Sequence, residues 1–372
     1  MLRRTSASIT GLLVLALGCG GESAPPPGGS AGSPAPSDAS ASTAASAPTA
    51  AADPVPADTV LSTAPGAAVD VREWKVPWAQ TRPRDPYVRE RGRVWFVGQQ
   101  GDYLAYLEPG TGAFRRFALE EGTGPHNLIV DEDGTVWYAG NRAAHIGHLD
   151  PGTGEIEKIP MPDERARDPH TLRFDHRGDV WFTVQGGNFV GKLDVDVREV
   201  TLLPVPTENA RPYGIVTDGS GRPWVALLGT NRLATVDPSS MELREVELPR
   251  PDAHPRRLRL TSDGAIWYVD YVQGYLGRYD PDAGAFREWR VPGGGDAAPY
   301  GMAADGQDRL WFVETGSSPN RLVGFDPATE EFFGTTEIPS GAGTIRNMFH
   351  HAPAGEIWFG ADTNTIGRIT VP

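Results

Sequence analysis

The sequence predicts an all-β fold, a seven-bladed β-propeller of four-stranded blades. Three observations predict it. Seven tryptophans recur in one short apolar context: "GRVWF" at Trp95, "GTVWY" at Trp137, "GDVWF" at Trp181, "GRPWV" at Trp224, "GAIWY" at Trp267, "DRLWF" at Trp311 and "GEIWF" at Trp358. Their spacings are 42, 44, 43, 43, 44 and 47 residues, the length of one blade. Between them lie short β-branched and aromatic runs punctuated by Gly, Asp and Pro, with no useful helical period.

The elements follow in chain order. Residues 1–18 read as an export signal, with Arg3 and Arg4 ahead of the short apolar run "ITGLLVLAL". That run is too short to span a bilayer as a helix. Cys19 is the single cysteine, and "LALGC" resembles a lipobox, so Cys19 is expected to carry a lipid. This leaves no disulfide and no cysteine chemistry. Residues 19–68 are rich in Ala, Pro, Ser and Gly and hold no aromatic side chain. Such a segment buries too little apolar surface to offset its ordering entropy, and reads as a disordered tether. Residues 69–372 form the propeller. The last unit ends at "TIGRITVP" without a fourth strand. "VDVREWKVP", beginning at Val69, matches the outer strand "AFREWRVP" of the fifth unit. Residues 69–76 are therefore expected to complete the last blade and close the ring, since an open ring leaves two bare sheet edges.

Each unit opens on a Pro-x pair, at the start of its innermost strand. In five units the residue after Pro lies eleven positions before the blade tryptophan: His126, His170, Tyr213, Arg256 and Tyr300. In the first unit Tyr87 is taken for this place, eight before Trp95; in the seventh, Arg346 or Asn347. Seven large polar side chains converging on one axis define a ligand site at a channel mouth. The second strand returns to that mouth and is expected to bring Asp270, Glu314 and Gln185 near the ring. Two histidines and two arginines suit an anionic or ester-bearing ligand.

The units "GPHNL", "DPHTL", "PYGI" and "LWFVE" resemble the virginiamycin B lyase (streptogramin lyase) family over residues 69–372. The resemblance implies a seven-bladed propeller that opens a cyclic depsipeptide by elimination. A histidine base removes a Cα proton, the ester C–O bond breaks, and Mg²⁺ held by two carboxylates stabilises the leaving carboxylate. Matched by motif, His170 would be the catalytic base, His126 would bind substrate, and Asp168 and Gln185 would hold Mg²⁺. Two departures stand out. Gln185 replaces a carboxylate, and the Pro-His pairs fall in the second and third units rather than the last two.

Two other readings compete. One is a metal-dependent lactonase or esterase, although sugar-lactone hydrolases have six blades. The other is a non-catalytic propeller of the cell envelope that binds a ligand or protein. The formal net charge of −14 argues against nucleic acid. The expected partners are a small molecule or peptide at the channel mouth, and the membrane through the lipid anchor alone. The protein is expected to be an exported, lipid-anchored monomer, periplasmic or at the surface.

Overall fold

Each unit folds on itself because an Asp- or Gly-rich turn reverses the chain after every strand. The computed structural model describes residues 45–46, 51–90 and 92–372, all within one compact unit, Thr43–Pro372. Seven antiparallel sheets stand in sequence, and in the first six blades the four blade strands run from the axis outward in chain order. The innermost strands are Pro83–Tyr87, Pro125–Val130, Pro169–Phe174, Pro212–Thr217, Pro255–Leu260, Pro299–Ala304 and Ile345–His351.

The ring is closed by Asp70–Lys75. It pairs antiparallel with Thr365–Thr370 over six residue pairs, from Asp70–Thr370 to Lys75–Thr365. Buried Glu73 accepts hydrogen bonds from the Ser340 N–H (2.7 Å) and the Thr365 hydroxyl (2.6 Å). Trp74 stacks on Trp358 at 5.7 Å.

The blade tryptophans are all buried, and they pack between neighbouring blades. Trp137 of the second blade shares a cluster with Leu172, Val180 and Phe182 of the third. In four blades a glycine of the third strand, Gly147, Gly191, Gly277 or Gly367, accepts the aromatic ring that follows the tryptophan. A Cβ on Gly191 would lie 2.2 Å from the Phe182 ring, and one on Gly277 would lie 2.0 Å from Tyr268. Only glycine admits that close approach.

Part of the expected tether is in strand conformation. Val55–Pro56 pairs with Phe114 and Ala113, Val60–Ser62 with Trp74 to Arg72, and Ala45–Ser46 with Glu157 and Ile156. Composition argues against a packed core in this segment, but an outer blade edge offers unpaired N–H and C=O groups to any extended chain. The expected signal peptide, Cys19 and tether residues 20–44 and 47–50 lie outside the described residues.

Candidate functional site

A β-bulge opens the innermost strand of every blade. In the third blade Pro169 pairs with Val184 and Leu172 with Phe182, so His170 and Thr171 together oppose one residue. Similar shifts occur in the other six blades. A bulge interrupts strict alternation and re-aims side chains. Two adjacent residues per blade therefore contribute to the axis, where a regular strand would give one.

The first tier is Arg84, His126, His170, Tyr213, Arg256, Tyr300 and Arg346. Arg84 corrects the expectation for Tyr87. Pro83 pairs with Gly98 as Pro169 does with Val184, and Arg84 lies eleven residues before Trp95. Tyr87 instead pairs with Trp95 and packs on Phe349 at 4.5 Å, further down the strand. In the seventh blade Ile345 holds the proline's place, pairing with Ala361, so Arg346 is the ring residue. The second tier contains Asp85, Asn127, Thr171, Arg257 and Asn347.

The two histidines are 5% and 2% exposed, with ring centroids 3.6 Å apart. His126 Nδ1 lies 3.1 Å from the His170 carbonyl oxygen. A carbonyl accepts only, so Nδ1 carries the proton and Nε2 the lone pair. His170 Nδ1 lies 2.8 Å from the Thr171 hydroxyl, which accepts from Arg257 Nη1 at 3.2 Å. Burial comes first in holding both imidazoles well below their ordinary pKa. The Arg84 and Arg257 charges add to it, and His126 adds further at His170. The pair is neutral at pH 7.

Cations dominate around them. Arg257, 1% exposed, donates to the Arg346 carbonyl at 2.8 Å. Its Nη2 is 3.6 Å from Asp85, an electrostatic contact too long for a hydrogen bond. Asp85 also receives Arg84 Nε at 3.2 Å and Asn127 Nδ2 at 3.0 Å. Burial opposes its ionisation, but Arg84 and Arg257 hold its pKa down. Arg256 lies over Tyr300 at 3.7 Å and over Tyr271 at 4.1 Å. Arg346 pairs with Asp362. At the ring, three buried guanidinium nitrogens have no hydrogen-bond acceptor among the described residues: Arg84 Nη2, Arg256 Nε and Arg257 Nη2. Tyr213 records the field. Burial pushes a phenol's pKa up, yet Arg256, Arg257 and Arg84, with a hydrogen bond to Tyr300, bring it down to about 7.

The expected carboxylates do not join the ring. Asp270 pairs with Arg250 at 2.7 Å and accepts the His254, Val272 and Gln273 N–H groups. Glu314 accepts Gly293 N–H and Arg321, each at 2.6 Å. Both are claimed by other donors, four for Asp270 and two for Glu314. Asp168 is likewise claimed: its two oxygens accept Gly186 N–H at 2.6 Å and Gly187 N–H at 3.1 Å. Its half-buried neighbour Gln185 brings no charge. One carboxylate bound to loop amides, a neutral amide and a ring of guanidiniums do not fit a resident Mg²⁺, which binds through anionic oxygens.

Fold and site together define a class: a seven-bladed propeller whose axis is closed at one end by histidine, arginine and tyrosine. The profile of the virginiamycin B lyase family matches residues 64–236 and 199–372. The chain belongs to that family. Virginiamycin B lyase from Staphylococcus aureus superposes with a TM-score of 0.74 at 22% identity, covering 82% of this chain and all of that one. A catalytically inactive variant of that enzyme, solved with quinupristin, gives the same values. YCF48 bound to D1 peptide matches with a TM-score of 0.65 at 12% identity, covering 84% of this chain and 98% of that one. No curated protein sequence matches. At these identities the structural likenesses establish the fold.

Proposed function

We propose that this chain binds a peptide- or depsipeptide-type ligand by a carboxylate or ester oxygen at the axial ring. One observation carries the reading. Three buried guanidinium nitrogens from Arg84, Arg256 and Arg257 lack an acceptor, and a buried unsatisfied donor costs roughly 1–3 kcal/mol, more when charged. An anionic oxygen would satisfy them. The family resemblance and the peptide-bound likeness of YCF48 support a ligand of this type. The leader and Cys19 support an exported, lipid-anchored form. Titration calorimetry with N-acetylphenylalanine and its neutral amide tests the reading. The carboxylate should bind at least tenfold more tightly, and Arg256→Gln should remove the difference. Equal affinity for both compounds contradicts it.

The tautomer of His126 favours a second reading, ring-opening elimination without a metal. His126 Nε2 holds the free lone pair and is the base; it would take the Cα proton. As the C–O bond breaks, its electron pair leaves with the carboxylate, which the arginines stabilise. The roles of the two histidines are then the reverse of those implied by motif matching. An opened product keeps the mass of the cyclic substrate, whereas hydrolysis adds a water. Unchanged quinupristin after incubation with the protein, with or without Mg²⁺, removes this second reading and leaves the first standing.

A further inference from the structure

The channel has another end. One residue per innermost strand pairs with the blade tryptophan, below the bulge: Tyr87, Ile129, Arg173, Val216, Arg259 and Phe349 among them. These six line a cavity of about 340 Å³, within the range of small-molecule sites. Its walls are mostly apolar, and its side chains are largely half-buried, so solvent reaches it.

Two of these positions are arginines, and their charges are not cancelled. Arg173 Nη1 donates to the Leu172 carbonyl at 2.9 Å. Arg259 donates to the Leu258 carbonyl at 2.6 Å, to Asn347 Oδ1 at 2.8 Å and to the Met348 carbonyl at 2.5 Å. These acceptors are neutral. Among the described residues neither arginine forms an ion pair with a carboxylate. Asp85, in the tier above, is already engaged by Arg84 and Arg257. The two side chains also repel one another, which adds to the effect of burial in destabilising the Arg259 charge. Charges held in an apolar cavity without a counterion favour any ligand that supplies one. The aromatic pair of Tyr87 and Phe349, 4.5 Å apart, offers an apolar wall.

We propose that this end of the channel is a second ligand site, for a small amphipathic anion. The apolar body lies against Tyr87, Ile129, Val216 and Phe349, and a carboxylate or phosphate head meets Arg173 and Arg259. The site is separate from the ring of Arg84, Arg256 and the histidines, and does not depend on the function proposed for that ring.

Calorimetric titration of the full chain with 2-naphthoate, 2-naphthyl phosphate and neutral 2-naphthol tests the proposal. At least one anion should bind tenfold or more tightly than naphthol, and the tighter of the two identifies the head group. Arg173→Gln and Arg259→Gln should each weaken that anion at least tenfold, while Arg256→Gln leaves it unchanged. Arg259 also bonds across the channel, so a second variant separates binding from folding. Ala304→Trp keeps both arginines, fills the cavity that Ala304 lines, and should abolish binding. Equal affinity for naphthol, no binding, or binding lost in Arg256→Gln and kept in Arg173→Gln would each overturn the proposal. The last outcome would assign the anion to the ring and leave the function proposed there intact.

Discussion

A histidine whose Nδ1–H is donated to a backbone carbonyl has its base at Nε2, and His126 is such a residue. His170 Nδ1 is hydrogen-bonded to the Thr171 hydroxyl. Both resist protonation because burial and guanidinium charges disfavour a further cation. The consequence for stability has a definite sign. Below about pH 6.5 the unfolded chain takes up protons on these histidines and the folded chain does not. Stability therefore falls as pH drops through that value, by up to about 1.4 kcal/mol per pH unit for each histidine. His126→Asn and His170→Asn should each flatten the slope between pH 7 and pH 5, as read by urea denaturation. A slope identical to the wild type would contradict the burial of a neutral imidazole. The pair was visible in the sequence as two Pro-His motifs. The position of the His126 proton was not, because it depends on the His170 carbonyl, 44 residues away.

At the scale of the strand and its turn, the bulge decided what the sequence concealed. The eleven-residue interval from ring residue to tryptophan also holds for Arg84, yet the Pro86-Tyr87 pair competes with Pro83-Arg84 for the same role. Alternation would send the next residue away from the axis, so the second tier of Asp85, Asn127, Thr171 and Arg257 was not legible from period alone. The turns were legible. An Asp six residues before the tryptophan accepts its indole N–H in four blades: Asp131, Asp175, Asp218 and Asp305. Thr261 takes that role in the fifth. Asp175 also accepts the Arg177 and Asp179 N–H groups, so one carboxylate ties the hairpin to its own tryptophan. Asp175→Ala should cost about 1–3 kcal/mol, with Asp175→Asn costing less. Thermal or urea unfolding measures this, and a loss within error for Ala would mean the turn holds without its cap.

At the scale of the molecule, blade number and the closing strand were legible. Seven copies of one packing unit must meet, and a bare edge must find its partner. The charge distribution along the axis was less so. An acidic chain of net −14 gathers Arg84, Arg256, Arg257 and Arg346 at one end of its channel and Arg173 and Arg259 at the other. Expected carboxylates such as Asp270 and Glu314 turned to loop amides and outer arginines instead. Counting charges in sequence cannot separate residues that point along an axis from those that brace a loop. The central claim is that the ring holds an excess of positive charge, four arginines against Asp85 and Asp362, and Tyr213 is its internal probe. Its phenol should ionise near pH 7, against an ordinary value of about 10. Ultraviolet difference titration at the phenolate band measures it directly. The account predicts one tyrosine ionising near neutrality, absent in Tyr213→Phe and displaced upward in Arg256→Gln. Ten tyrosines all titrating at or above the ordinary value would contradict it.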